Sequence, residues 1–484
     1  MQFNIGNKNK IKESLSRKGV CFFSRLLFFS LFLCSCKRMI EISPPVGSIT
    51  TNQTFSSDAT AISAAANMYY HMINANGSFS SYAMTTFGGM SADELIPFDQ
   101  DANDLYIQFQ QNTLVSTNSF ISSAFWENAY STIYTANAII EGLGEYSGVH
   151  DSLKNELIGE AEFVRAFCHF YLVNLFGDVP LITTINYNKT SLLSRTPVSQ
   201  VYAKIISDLQ DAQKRLSSDY SSSLEQRIIP NKWAATALLA RVYLFLNDWM
   251  DAETQATALI SNSNLYNLSD LKDVFLANSN EAIWQLQQSN EEYTYNATPE
   301  GYALIPFDTY TQPFVYLTTQ LLNTFEVGDQ RKSTWVNSYI YGGITYYFPY
   351  KYKVGPAQAI PDGPYTEYYM VLRLAEQYLI RAEARAQQNK LTDAASDLNM
   401  IRKRSGLQNT TAISQSDFLA AIAHERQVEM FCEWGHRWLD LKRTGQTTPV
   451  LGPIKSTWTT NAQLYPIPLN ELKTDPNLTQ NTGY

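Results

Sequence analysis

Glu160 and Glu162, Glu376 and Glu383, and Glu425 and Glu429 recur as carboxylate pairs, with Asp440 beyond them. Two carboxyl groups flanking a sugar–sugar bond are the machinery of glycoside hydrolysis. Each pair, however, lies in a helical pattern near arginine: Arg165, Arg373, Arg381, Arg426 and Arg437. Bidentate carboxylate–guanidinium pairing between helices accounts for that pattern without any reaction. Asp440 with Arg437 and Trp438 likewise reads as a core clamp. No catalytic residue is assigned. His71, His150, His169, His424 and His436 are scattered, and no Cys/His set has metal-ligand spacing, so neither a metal nor a cofactor is expected.

A second kind of chemistry needs no titrating group. Fourteen tyrosines fall between Tyr293 and Tyr369. An aromatic ring takes the apolar C–H face of a sugar, while Asn, Asp, Gln or Arg takes its hydroxyl rim. Residues 74–110 and 288–345 offer both, with Tyr82 and Glu94 among them. The ligand-binding residues expected there are Asn74, Asp93, Tyr293, Tyr295, Tyr310, Trp335 and Tyr341. Trp284 sits in an apolar alternating run and reads as core, as do the helical Trp126, Trp233, Trp434 and Trp438.

The elements that must position these groups are mainly helical. Apolar residues at helical spacing predict helices over 58–73, 124–143, 153–176, 197–216, 231–246, 251–260, 370–385, 394–404, 418–434 and 437–443. Short β-like runs occur at 282–286 and 345–348. Two hairpins match at an offset of 142: Ala240, Asn247, Asp251 and Ala252 correspond to Ala382, Asn389, Asp393 and Ala394. That spacing resembles the tetratricopeptide repeat, in which small residues let paired helices close up. The fold class is therefore mainly α: tetratricopeptide-like hairpins form a scaffold, and a loop-rich insertion carries few short strands. One lobe is expected over 58–484. Its helical repeats lie at about 58–73, 124–260 and 370–443, its loop-rich ligand-binding part at about 74–123 and 262–369, and an irregular tail at 452–484. Residues 74–119 read as a long irregular region. Cys168 and Cys432 lie in apolar helical sequence and read as buried thiols, a single disulfide being the other arrangement.

The first 35 residues read as a signal peptide, with Lys8, Lys10, Lys12, Arg17, Lys18 and Arg25 ahead of an apolar run over 26–33. The ending Leu33-Cys34-Ser35-Cys36 resembles a bacterial lipobox, which makes Cys36 the lipidated residue and 36–57 a tether. Without the signal the chain holds 30 basic and 44 acidic residues, a net of −14. That balance excludes the basic footprint of a nucleic-acid partner.

Motifs along nearly the whole chain resemble the SusD/RagB family of outer-membrane nutrient-binding lipoproteins of Bacteroidetes. They include Glu41-Ile-Ser-Pro-Pro45, Trp126-Glu-Asn-Ala-Tyr130, Gly159-Glu-Ala-Glu-Phe-Val-Arg-Ala166 and Phe176-Gly-Asp-Val-Pro-Leu181. Arg373-Leu-Ala-Glu376, Arg381-Ala-Glu-Ala384, Glu425-Arg-Gln-Val-Glu429, Gly435-His-Arg-Trp-Leu-Asp-Leu-Lys-Arg443 and Gln480-Asn-Thr-Gly-Tyr484 continue the series. The resemblance implies a non-catalytic protein, lipid-anchored at the outer membrane and surface-exposed. Such a protein captures an oligosaccharide, or a peptide in some branches, and docks on a SusC-like TonB-dependent transporter barrel. The exposed faces near Gln255, Gln387 and Lys390 are the expected transporter-facing surface. A glycan-cleaving lipoprotein and a scaffold without ligand are the rival readings.

Overall fold

In the computed structural model, residues 51–484 are described apart from 76, 100–103, 309 and 313. The signal and the lipidation at Cys36 lie outside the described residues. Thr51–Thr54 form one helical turn, and Phe55–Tyr484 form a single unit.

Several helices begin where a side chain satisfies their first N–H groups, and some end at a residue of positive φ. Helix α1 (Asp58–Asn74) is capped by Ser57, whose side chain accepts from the Thr60 N–H. Helix α2 (Met84–Ser91), strand β1 (Leu95–Pro97) and helix α3 (Asp104–Gln111) follow. Helices α4 (Asn128–Glu145) and α5 (Asp151–Phe176) pack together, and α5 stops at Gly177 with φ 75°. Helix α6 (Val198–Arg215) packs on α5 and on α7 (Lys232–Phe245), which is capped by Asn231. Helix α8 (Trp249–Ile260) closes the first hairpin. After β2 (Ala282–Leu286), α9 (Pro299–Leu304), β3 (Val315–Leu317), β4 (Val336–Tyr341), β5 (Ile344–Pro349) and β6 (Tyr369–Arg373), the second hairpin is α10 (Leu374–Gln387) and α11 (Leu391–Arg404). Helix α12 (Gln415–Glu429) starts with a Ser414/Asp417 capping box, and α13 (His436–Arg443) follows.

The two hairpins are the same device built twice. The 142-residue offset holds at both ends of α7 and α10 and at the starts of α8 and α11. The linking turns place Asn247 at φ 61° and Asn389 at φ 58°, where asparagine is tolerated better than branched residues. Ala240, Ala252, Ala382 and Ala394 are all fully buried, forming the small-residue seams. Helix α8 packs on α10, and α10 on α12, so the array runs on from the first hairpin through the second. The strands form antiparallel pairs β1–β3, β2–β6 and β4–β5.

Two expectations are corrected. Residues 370–373 are strand, not the first turn of a helix. Strands β2 and β6 are buried along their whole length, so neither shows the alternation of a half-exposed strand. Residues 74–119 are not wholly irregular: their described part holds α2, β1 and α3, and wide π turns at Phe79–Ala83 and, just beyond the stretch, at Ile121–Glu127 interrupt the helical period. Trp284, Trp434 and Trp438 are fully buried and Trp126 nearly so, whereas Trp233 is half-buried. Cys168 and Cys432 are buried free thiols, not a disulfide. No helix among the described residues is long and apolar enough to cross a membrane.

Candidate functional site

The carboxylates that could have been catalytic are consumed by cations. Arg373 reaches Glu281 at 2.9 Å, Glu429 at 2.6 Å and Glu433 at 2.8 Å. Arg331 binds Asp329 at 2.8 Å, Glu425 at 2.6 Å and Glu429 at 3.0 Å. Arg404 joins Glu281 to Glu429, and Lys351 binds Glu433. This ion cluster has almost no contact with solvent, its side chains being at most 8% exposed. Nearby, Arg241 grips both oxygens of Glu376 at 2.7 Å. Burial alone would raise the Glu376 pKa, but Arg241 overrides it and holds the group near 2. Arg426 and Arg443 hold Asp440 at 2.8 and 2.7 Å, and Arg443 also binds Glu383. Groups fixed in the ionised form cannot shuttle protons near neutral pH.

Glu160 and Glu162 are the exceptions: burial raises the Glu162 pKa to about 7 although Arg215 lies 3.1 Å away. Glu160 takes a 2.7 Å hydrogen bond from the Tyr69 hydroxyl, and burial raises its pKa to about 8. It lies in the wall of a cleft of about 450 Å³ with Tyr70, Asn74, Gln288 and Tyr365. The cleft joins α1 to the loop after β2. Asn74, the last residue of α1, accepts from the Ser289 N–H at 3.2 Å and donates to the Tyr70 carbonyl at 3.1 Å. The Tyr70 hydroxyl donates to Glu292, and the Tyr365 hydroxyl accepts from the Asn290 N–H at 2.9 Å. Beside it, Tyr293 is 40% exposed and meets Tyr302 of α9 edge-on at 5.3 Å. Burial, with Tyr82 and Tyr302 nearby, raises the pKa of the Tyr293 hydroxyl and keeps it neutral, a donor and an acceptor.

The expected site residues separate into three groups. Asn74 and Tyr293 come together through the 289–293 loop. Tyr295 lies just beyond that loop at φ 49° and is half-buried. Tyr341 belongs to a neighbouring cluster: its ring meets Phe98 at 5.6 Å, and Phe98 meets Tyr346 at 5.0 Å. Helix α9 links the clusters, because Ile305 after it packs with Tyr339 and Phe348. Tyr310 is 88% exposed in the following loop.

Asp93 and Trp335 are corrections. The Asp93 carboxylate is taken by Arg437 at 2.8 and 2.9 Å and is buried. Trp335 is fully buried, donates to the Leu271 carbonyl at 2.8 Å, and lies under Lys351, Arg373 and Arg404. It is the aromatic floor of the ion cluster and has no free face for a ligand. Tyr70, Tyr302, Tyr365 and Phe98 are additions that sequence pattern does not single out. Their partners lie up to 222 residues away in sequence, so only the fold reveals them. Among the described residues no group of three or more His, Cys, Asp or Glu could hold a metal ion.

This geometry offers half-exposed rings beside amides and hydroxyls, a surface for non-covalent recognition of a polyhydroxylated ligand. Comparison with known proteins points the same way. A family model described as starch-binding associating with outer membrane matches residues 48–244, and the SusD family model matches 342–484. Together they take in well over half of the chain. SusD-like protein P25 of Formosa agariphila is 25% identical, over 94% of this chain and 98% of its own. Among solved structures, a SusD superfamily protein from Bacteroides vulgatus superposes with a TM-score of 0.77 at 22% identity, covering 89% of this chain and all of that one. A laminarin-binding SusD-like protein has a TM-score of 0.75 at 23% identity, with the same coverage. These two share the fold.

Proposed function

The chain belongs to the SusD/RagB family, whose carbohydrate-binding members are non-catalytic, and from that premise we propose that it captures an extracellular oligosaccharide and delivers it to a SusC-like TonB-dependent transporter. The carrying observation is the tyrosine surface around Tyr70, Tyr293 and Tyr302, set beside a cleft with amide and hydroxyl groups on its wall. Rings stack on the sugar faces, and Asn74, Gln288 and Ser289 read the hydroxyl rim. No bond is broken.

The family model is described as associating with outer membrane, and lipidation at Cys36 is the proposed means of attachment. A Cys36→Ala chain then loses membrane association in cell fractionation; retention on the membrane rejects the anchor. The transporter is the proposed recipient, to be captured by co-purification from outer membranes.

The solved relative described as laminarin-binding makes β-glucan oligosaccharides the first probes. Titration calorimetry over a glycan panel should give saturable binding without release of reducing sugar. Release of sugar rejects the binding reading. Failure of every glycan with uptake of peptides instead moves the ligand class to peptides.

A further inference from the structure

The cleft of about 450 Å³ between α1 and the loop after β2 is polar mainly at its two ends. Helices α1 and α5 run along it side by side and in the same direction, since Asp58 meets His150 and Tyr69 meets Glu160. At the end beside the tyrosine surface the wall carries Asn74, Gln288 and Ser289. At the far end it carries Glu156, half-buried, and Ser222, exposed. Between them the walls are aliphatic: Ala65 and Ala66 from α1, Leu157 from α5, and Ile228 and Ile229 from the segment ahead of α7. The one acid set among them, Glu160, keeps its proton at pH 7, because burial raises its pKa to about 8.

Part of this apolar wall is open to solvent. Ile62 is 49% exposed and Tyr70 37%, with the exposed Ala66 midway between them. Residues four apart share a helix face, so the three form one stripe along the cleft, two turns or about 12 Å long. Exposed apolar surface rimmed by polar groups marks a binding site. A sugar ring alone does not use it: its hydroxyls would lose water against Leu157 and Ile229 without gaining a partner. A planar apolar group does use it, provided that it has an ester at the Asn74 end and a donor at the Glu156 end. An acetyl group is too short for the stripe, and a fatty chain would set its apolar end against Glu156. That carboxyl group accepts from the Ser217 N–H at 3.1 Å and has lone pairs for a further donor.

Resting on the glycan reading above, we infer that this cleft takes a phenolic acyl ester of the hydroxycinnamoyl type carried on the captured glycan. The ring lies between α1 and Ile229, the ester beside Asn74 and Ser289, and the phenolic hydroxyl donates to Glu156.

The test is titration of the full chain with a feruloylated arabinoxylan oligosaccharide, the same oligosaccharide after ester removal, methyl ferulate and methyl cinnamate. The esterified oligosaccharide should bind roughly tenfold tighter than its de-esterified form. Methyl ferulate should bind saturably on its own, and roughly threefold tighter than methyl cinnamate, which lacks the phenolic hydroxyl. Ala66→Phe places a ring in the cleft from an exposed helix position, away from every ion pair. It should abolish methyl ferulate binding and the gain from the ester, at unchanged Tm and with the affinity for the de-esterified oligosaccharide kept. Absent binding of methyl ferulate, equal affinity for the two oligosaccharides, or full methyl ferulate binding by Ala66→Phe overturns the inference, and the first two leave the glycan reading standing if the de-esterified form binds. Methyl ferulate bound with no oligosaccharide bound overturns the glycan reading instead. Tighter binding of a tripeptide with a central phenylalanine than of methyl ferulate overturns the ester assignment.

Discussion

The ion cluster beneath Arg373 and the tyrosine surface around Tyr293 both concentrate groups that bind polar ligands, but they spend them differently. Around Arg373, Glu281, Glu429 and Glu433 are satisfied internally, and Trp335 closes the cluster from below. Around Tyr293, rings remain partly exposed and hydroxyls face a cleft. A motif rich in charge is therefore the brace, and a stretch with little periodicity is the proposed seat of recognition. Removing one member of a closed buried network strands its partners in a low-dielectric interior. Removing one exposed ring costs only its own contact.

The largest expected effect breaks the brace. Arg373→Ala leaves three carboxylates without their central cation and should destabilise the chain by about 3–5 kcal/mol in chemical denaturation. A loss under about 1 kcal/mol would show that the cluster does not hold the fold. Next comes the hairpin seam. Ala382→Leu forces bulk between α10 and its neighbours and should cost about 1–3 kcal/mol; the matching Ala240→Leu should behave alike if the hairpins are one device.

Much of the brace is legible in the sequence. Ala240 and Ala382, with Asn247 and Asn389, mark the hairpins because tight helix pairs demand small residues and left-handed turns tolerate asparagine. Arginines at helical spacing from glutamates signal pairing, though not the partners: Glu376 is held by Arg241, 135 residues away. The proposed recognition surface is only half legible. Trp335 and Tyr293 look equivalent in a loop-rich stretch, since no period tells which ring faces inward. Tyr70 lies on α1 and joins the site only because the loop carrying Glu292 folds against it. Strand β6 is hidden for a related reason: a strand buried on both faces has no alternation to distinguish it from helix.

Smaller effects sharpen the contrast. Tyr302→Ala should weaken oligosaccharide binding roughly tenfold, about 1.4 kcal/mol, while Tm stays within error. A fall in Tm with unchanged affinity would reassign this ring to the brace. The pH dependence separates the regions again. Glu376 is held near 2 against an ordinary 4.5, so its stabilisation is complete above 4.5 and lost as pH falls through 2. Glu160 is raised by burial to about 8, so the native state binds a proton that the unfolded chain releases, and stability falls as pH rises from 4.5 towards 8. Glu94, Glu162 and Glu300 are raised by burial in the same way, so Glu160→Gln should make that alkaline limb shallower in Tm measured against pH and leave the acid limb in place.

If the tyrosine surface captures a glycan and the charged core does none of the binding, a β-glucan oligosaccharide series titrated into the wild-type chain and into Tyr70→Ala/Tyr293→Ala should tell them apart. Saturable binding in the first, its loss in the second at equal Tm, and no reducing sugar in either is the predicted result. Binding that survives the double substitution, or any released sugar, would contradict it.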